Sequence, residues 1–134
     1  MFLTKECDYG IRIIRALADG EKKSVETICE IEHIPNKFAY KIIGKLLRAG
    51  FVQSLRGRGG GYVLAKPLDT FSIYDIIAVI DGNFILFECL DHKIECPHRQ
   101  KHGGKLCSVH LEYARIQNII EHEMQSKTIS DIME

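Results

Sequence analysis

Along the chain, apolar positions keep a helical step, change briefly to an extended pattern, and then return to helical spacing. Tyr9, Ile13, Ile14 and Leu17 predict a first helix over 8–18, with Asp8 as its N-cap and Gly20 just past its end. Ser24 is placed to cap a second helix whose inward residues are Val25, Ile28 and Ile31. His33 and Ile34 then lead to Pro35, a residue suited to a first helical turn. In the third helix Phe38, Ile42, Ile43, Leu46 and Leu47 share one face, and Gly50 closes it. Val52 and Leu55 lead through glycines to Tyr62, Val63 and Leu64, which read as strand, so a hairpin is expected over 52–65. Ser72 and Asp75 form a capping pair for a helix packed through Ile73, Ile76, Ile77 and Ile80 and ended by Asp81 and Gly82. Val109, Tyr113, Ile116, Ile120 and Met124 predict a long amphipathic helix, followed by a short tail with Ile129 and Ile132.

Two helices joined by a short turn, with a hairpin behind the second, give a mainly α fold: a winged helix-turn-helix with a two-stranded β wing and a long C-terminal helix. The expected segments are a winged-helix head over 1–82, a cysteine-rich loop over 83–107, and a long helix with its tail over 108–134. A solitary helix carrying an apolar stripe, remote from the head's core, buries that stripe against a partner. It is read as a dimerisation helix.

Charge sharpens this outline. The stretch over 34–66 holds seven Lys or Arg and no Asp or Glu, although the whole chain has 18 of each sign and no net charge. A merely solvated helix face would mix signs to gain helical ion pairs. Asn36, Lys37, Tyr40, Lys41, Lys45 and Arg48, with Gly44 among them, are free to face a major groove once the Phe38, Ile42 and Leu46 side is committed to the core. At the hairpin tip, Gly59, Gly60 and Gly61 permit positive φ and close backbone approach, and Arg56 and Arg58 can reach phosphates or the minor groove. The same glycines are a poor nucleotide cradle, because no Gly-Lys-Ser/Thr ending is present and a strand follows them.

The 134 residues, 46% hydrophobic, suffice for one domain, or for one small domain with a long appendage. The longest aliphatic run, over 76–80, is far below the roughly 18 residues of a membrane span, and Lys5, Glu6 and Asp8 stand where a signal peptide would be apolar. A cytoplasmic protein with no membrane partner is expected. Five cysteines then read as reduced thiols or metal ligands rather than disulfides.

Cys7 and Cys29 lie on helices and read as small buried hydrophobes. Cys89, Cys96 and Cys107 do not. They share a segment over 88–110 with His92, His98, His102 and His110, few aliphatic residues and no periodicity, so it needs a source of order other than packing. Six residues separate Cys89 from Cys96, ten separate Cys96 from Cys107, and two separate Cys107 from His110. These spacings lack the short knuckles of a zinc ribbon. Three thiolates with one imidazole suit an iron-sulfur cluster at least as well as zinc, and composition does not choose between the metals.

These residues resemble a known family. Leu3-Thr4-Lys5 with Asp8-Tyr9, the run from Ile34-Pro35 to Leu46, and above all Gly50-Phe51-Val52 followed by Arg56-Gly57-Arg58-Gly59-Gly60-Gly61-Tyr62 resemble the bacterial winged-helix transcription regulators of the IscR/NsrR/CymR type. The resemblance covers nearly the whole chain. It implies a homodimeric regulator of double-stranded DNA with a palindromic operator, and, as in many members, an iron-sulfur cluster on three loop cysteines, here Cys89, Cys96 and Cys107. The Cys107-Ser-Val-His110 ending resembles the cluster-assembly regulator, where a histidine at that offset completes a two-iron cluster. Asp8 resembles the acidic residue that completes a four-iron cluster in nitric-oxide-sensing relatives, from the partner subunit. His110 is preferred because Asp8 is assigned to the helix cap, so 2Fe-2S is favoured and 4Fe-4S is the alternative. The interval between Cys96 and Cys107 is longer than is usual in the family.

The function expected is therefore a repressor that senses cluster status, redox state or nitric oxide, and not an enzyme. One alternative keeps the DNA binding but makes the loop a thiol or zinc element, or a partner surface as in the cysteine-metabolism branch. An iron-sulfur electron carrier fits least, since no flavin or nicotinamide motif is present and the basic hairpin would have no role.

Overall fold

In the computed structural model residues 3–133 are described; the first two positions of the expected head and the last of the tail lie outside the described residues. The chain forms α1 (Lys5–Ala16), α2 (Val25–Glu32), α3 (Asn36–Arg48), β1 (Val52–Leu55), β2 (Gly61–Leu64), α4 (Ile73–Asp81), α5 (Pro97–Lys101), α6 (Ser108–Gln125) and α7 (Ile129–Ile132). The strands pair antiparallel, Val52 opposite Leu64 and Leu55 opposite Gly61, so the predicted wing is present. The mainly helical winged fold is that expected from the periodicity.

The head is built on α1, α3 and α4. Ile13, Ile14, Leu17, Ile42, Leu46 and Ile76 are all fully buried, and each such side chain contributes about 1.5–3 kcal/mol. A methyl group at Gly10 would run into the Ile80 side chain, which shows how closely α1 and α4 cross. Phe51, just before β1, meets Phe71 edge-on with centroids 4.8 Å apart and roots the wing in this core. Arg15 on α1 pairs with the buried Glu32 at the end of α2, while Arg12 donates to the Glu32 carbonyl at 3.2 Å. The ion pair thus ties the end of α2 to α1 at the edge of the apolar core.

Ser24 caps α2, and Ser72 with Asp75 forms a full capping box on α4, as their spacing requires. Several local readings need correction. Thr4, not Asp8, caps α1: its hydroxyl accepts the Cys7 N–H at 3.4 Å, while Asp8 sits inside the helix and pairs with Arg12 at 2.9 Å. The helix begins a turn early because Cys7, 1% exposed, belongs to the apolar face. Pro35 is the N-cap of α3 rather than its first helical residue. Ile31 and Leu47 point outward, and Cys29 and Ala39 take the buried positions that complete the 3,4 spacing of their helices.

The C-terminal part departs further from a solitary helix. Tyr113 of α6 stacks on Phe87 at 3.7 Å, and Gln117 Oε1 accepts the Leu86 N–H at 2.9 Å, so the stripe through Tyr113, Ile116 and Ile120 is half-covered by the chain's own α4 and the segment after it. Val109 instead faces outward, with Leu111 and Ile119. The tail returns to the head: Ile129 is fully buried, and its N–H donates to the Phe71 carbonyl at 2.8 Å.

Candidate nucleic-acid interface and cysteine loop

Alternation between buried and exposed positions on α3 produces a groove-facing side. Ala39, Ile42, Ile43 and Leu46 are buried, which turns Asn36, Lys37, Tyr40, Lys41 and Arg48 to solvent. Space adds anions that the basic stretch lacks in sequence. Glu6 of α1 takes Lys41 at 2.7 Å and Lys45 at 3.3 Å, and its carboxyl is held below the usual range chiefly by the Lys41 hydrogen bond. Lys45 also donates to the Ile80 carbonyl at 2.6 Å. Its half-buried ammonium ties α3 to α1 and α4 instead of standing with the exposed cations. Tyr40 donates its hydroxyl to Glu26 of α2 at 2.8 Å.

The wing carries Arg56 and Arg58 at its exposed tip, neither with an ion-pair partner among the described residues. Gly59 has φ +68°, a conformation that favours glycine. Gly61 serves a different need: an added methyl would come within 2.6 Å of the Lys23 carbonyl, because Lys23 and Tyr62 exchange backbone hydrogen bonds at 3.0 and 2.8 Å. That bridge fixes the wing to the start of α2. It also brings Lys22 to the tip, its Nζ 3.7 Å from where a methyl on Gly59 would be. Sequence reasoning missed Lys22, since it precedes the basic stretch and only strand pairing reveals its place.

The three loop cysteines come together without periodic structure to place them. Cys89 lies in a single helical turn, Glu88–Leu90, Cys96 is the N-cap of α5, and Cys107 is the N-cap of α6, its sulfur accepting the His110 N–H at 3.4 Å. All three and His110 line one cavity of about 510 Å³. Burial, and after it the neighbouring Cys107 and Cys96, push the Cys89 thiol pKa upward. Among the described residues no three His, Cys, Asp or Glu side chains converge closely enough to hold one metal ion. A single tetrahedral zinc needs donors about 2.0–2.3 Å from one point, whereas a cluster distributes its ligands over several irons. In type, three thiols and one imidazole are donors that such a cluster takes.

Asp8 is exposed on α1 and does not line this cavity. With Thr4 as the cap, Asp8 is not engaged in capping, and of the two residues it is His110 that lines the cavity of its own chain. Cys7 and Cys29 are buried in the head, as expected. Cys7 donates to Asp81 at 3.1 Å, and burial, then the Asp81 carboxylate, pushes its thiol up to about 11.

Comparison with known proteins agrees with this layout. Protein aau3 of Rhizobium meliloti (strain 1021) is 30% identical over 136 residues, covering 99% of this chain and 85% of the relative. The structure of T. potens IscR superposes with a TM-score of 0.75 at 22% identity, covering 98% of this chain and 85% of that one. The structure of CymR (YrzC), the global cysteine regulator of B. subtilis, superposes at 0.73 with 25% identity, covering 98% and 95%. No helix among the described residues is long and apolar enough to cross a membrane. The family described as Rrf2, iron-dependent transcriptional regulator, matches residues 3–134, so this chain belongs to the Rrf2 family and is a DNA-binding transcriptional regulator, not an enzyme.

Proposed function

We propose that the chain is a homodimeric repressor whose operator affinity is set by an iron-sulfur cluster on Cys89, Cys96, Cys107 and His110, 2Fe-2S in form. The observation that carries this is the convergence of those four side chains on one cavity in a loop with little apolar packing of its own. When bound, the cluster supplies positive iron centres that offset thiolate repulsion and respond to redox state or nitric oxide. The chain's own residues do the rest. Cys107 and His110 open α6, so the order of the loop bears on the position of that helix. Through Tyr113 and Gln117, α6 is coupled to the segment after α4, and the tail is fixed to the core at Ile129. Two heads linked through α6 would present two copies of α3 and the wing to a palindrome, and the spacing of these copies would decide affinity. Asn36, Lys37, Tyr40 and Lys41 would reach base edges, and Arg48, Arg56 and Arg58 would hold the backbone.

A second reading keeps the repressor and makes the loop a cluster-free thiol element. It is favoured by the likeness to CymR, the global cysteine regulator of B. subtilis. Anaerobic purification with an absorption spectrum and iron, sulfide and zinc analysis separates the two. The expected result is a brown protein with iron and sulfide, lost in Cys89→Ala, Cys96→Ala and Cys107→Ala and kept in Cys7→Ala and Cys29→Ala. His110→Cys should keep a cluster with an altered spectrum, and Asp8→Ala should change little; the reverse pattern would move the fourth ligand to Asp8. Stoichiometric zinc without sulfide would overturn cluster sensing.

A further inference from the structure

Tyr40 is 54% exposed on the outward side of α3, yet its hydroxyl proton is already committed. The acceptor is Glu26 Oε1, 2.8 Å away in the exposed first turn of α2. A phenol has one proton to give and lone pairs to receive. Because Glu26 takes the proton, the outward capacity left on the phenol oxygen is as an acceptor, and the remaining oxygen of Glu26 is one too. Major-groove hydrogen-bond donors are few: the N6 amino group of adenine and the N4 amino group of cytosine.

We infer that Glu26 and Tyr40 form an acceptor pair that selects a base carrying an exocyclic amino group at one position of each half-site, with Glu26 as the positioning residue. This rests on the reading of Tyr40 as a base-contacting side chain. The electrostatics agree with the geometry. The Glu26 carboxyl is held below its usual range by its own backbone N–H and then by Tyr40, so it remains an acceptor at neutral pH. Glu26 also raises the Tyr40 phenol, which therefore keeps its proton to donate. A carboxylate near the phosphates is a cost to general affinity, and selectivity gives it a purpose.

The test begins with binding-site selection for the wild type and Tyr40→Phe, a change that keeps the ring and any contact with a thymine methyl but removes the oxygen. The position that loses discrimination is then rebuilt in synthetic duplexes. In one, the amino group alone is removed, with purine for adenine or 2-pyrimidinone for cytosine. In the other, the purine N7 acceptor alone is removed by a 7-deaza base. Removing the amino group is expected to weaken wild-type binding about five-fold and Tyr40→Phe binding hardly at all. The 7-deaza change should not distinguish the two proteins. Glu26→Ala removes the acceptor, frees the phenol to turn and should cut the penalty to less than about two-fold. A penalty on N7 removal that depends on Tyr40 would show the phenol donating and overturn the inference while leaving Tyr40 a base reader. An undiminished amino penalty in Glu26→Ala would overturn the role of Glu26. If Tyr40→Phe alters no position, the reading of Tyr40 and the inference built on it both fail.

Discussion

The head and the cysteine loop are ordered by different physics. Within residues 7–80 the aliphatic side chains of three helices close over one another, and many have no exposure at all. Between α4 and α7 only Phe84 and Leu86 are buried, and no residue of the 18-residue α6 is. A segment with so little apolar burial sits at the low-stability end of a protein, where ligands can change its conformation at small cost. A DNA-reading head needs the opposite property, since its recognition helix must hold a fixed geometry on an operator. The chain thus joins a closely packed head to a sparsely packed loop and helix.

The largest expected effect tests that contrast directly. Leu46→Ala removes a fully buried side chain from the centre of the head and should cost about 2–5 kcal/mol of unfolding free energy. Leu106→Ala, in the exposed part of the loop, should change the same quantity by about 0.5 kcal/mol or less. Urea denaturation of the cofactor-free protein measures both. Comparable losses would mean that the loop shares the head's core after all.

Next in size is assembly, because α6 distributes its apolar residues over two sides. Ile116 is half-buried within its own chain, whereas Ile119 is 50% exposed with Leu111 a little more so. Ile119→Asp is therefore expected to weaken the proposed dimer about 30-fold or more while the monomer stays folded. Ile116→Asp should also disturb the fold. Sedimentation equilibrium together with circular dichroism distinguishes these results, and a dimer indifferent to Ile119→Asp would place the interface elsewhere.

The same division explains what could be read in the sequence. The head was legible because its apolar residues follow helical and extended patterns strictly, and because Ser24, Ser72, Asp75 and Gly50 punctuate them with the chemistry their positions need. Errors arose where one residue could serve two ends. Asp8 has the chemistry of a cap and hid the first turn of α1, which Thr4 opens, and Ile31 and Leu47 are apolar yet outward. In the loop the residue types announced chemistry, but nothing periodic told where each would go. That the three cysteines and His110 share one cavity, and that Ile129 returns to the core, are facts of tertiary structure. The partners of the basic helix were hidden for the same reason: Glu6 and Glu26 are 35 and 14 residues from Lys41 and Tyr40.

The smallest expected effect separates cations that hold the head together from cations left for DNA. Arg58 stands at the wing tip, exposed, and without an ion-pair partner among the described residues, so its loss breaks no ion pair among them. Arg58→Ala should weaken operator binding by roughly 1 kcal/mol and lower the slope of log affinity against log salt by about 1, with unfolding unchanged. Arg56→Ala should behave likewise. Lys45→Ala is the counterpart: its ammonium is held by the Ile80 carbonyl and Glu6, so the loss should appear in stability and leave the salt slope nearly intact. Binding isotherms at several salt concentrations, paired with denaturation curves, read both quantities for each variant. A salt slope that falls for Lys45→Ala as much as for Arg58→Ala would show that the Glu6 network opens on DNA and that Lys45 rejoins the groove-facing set.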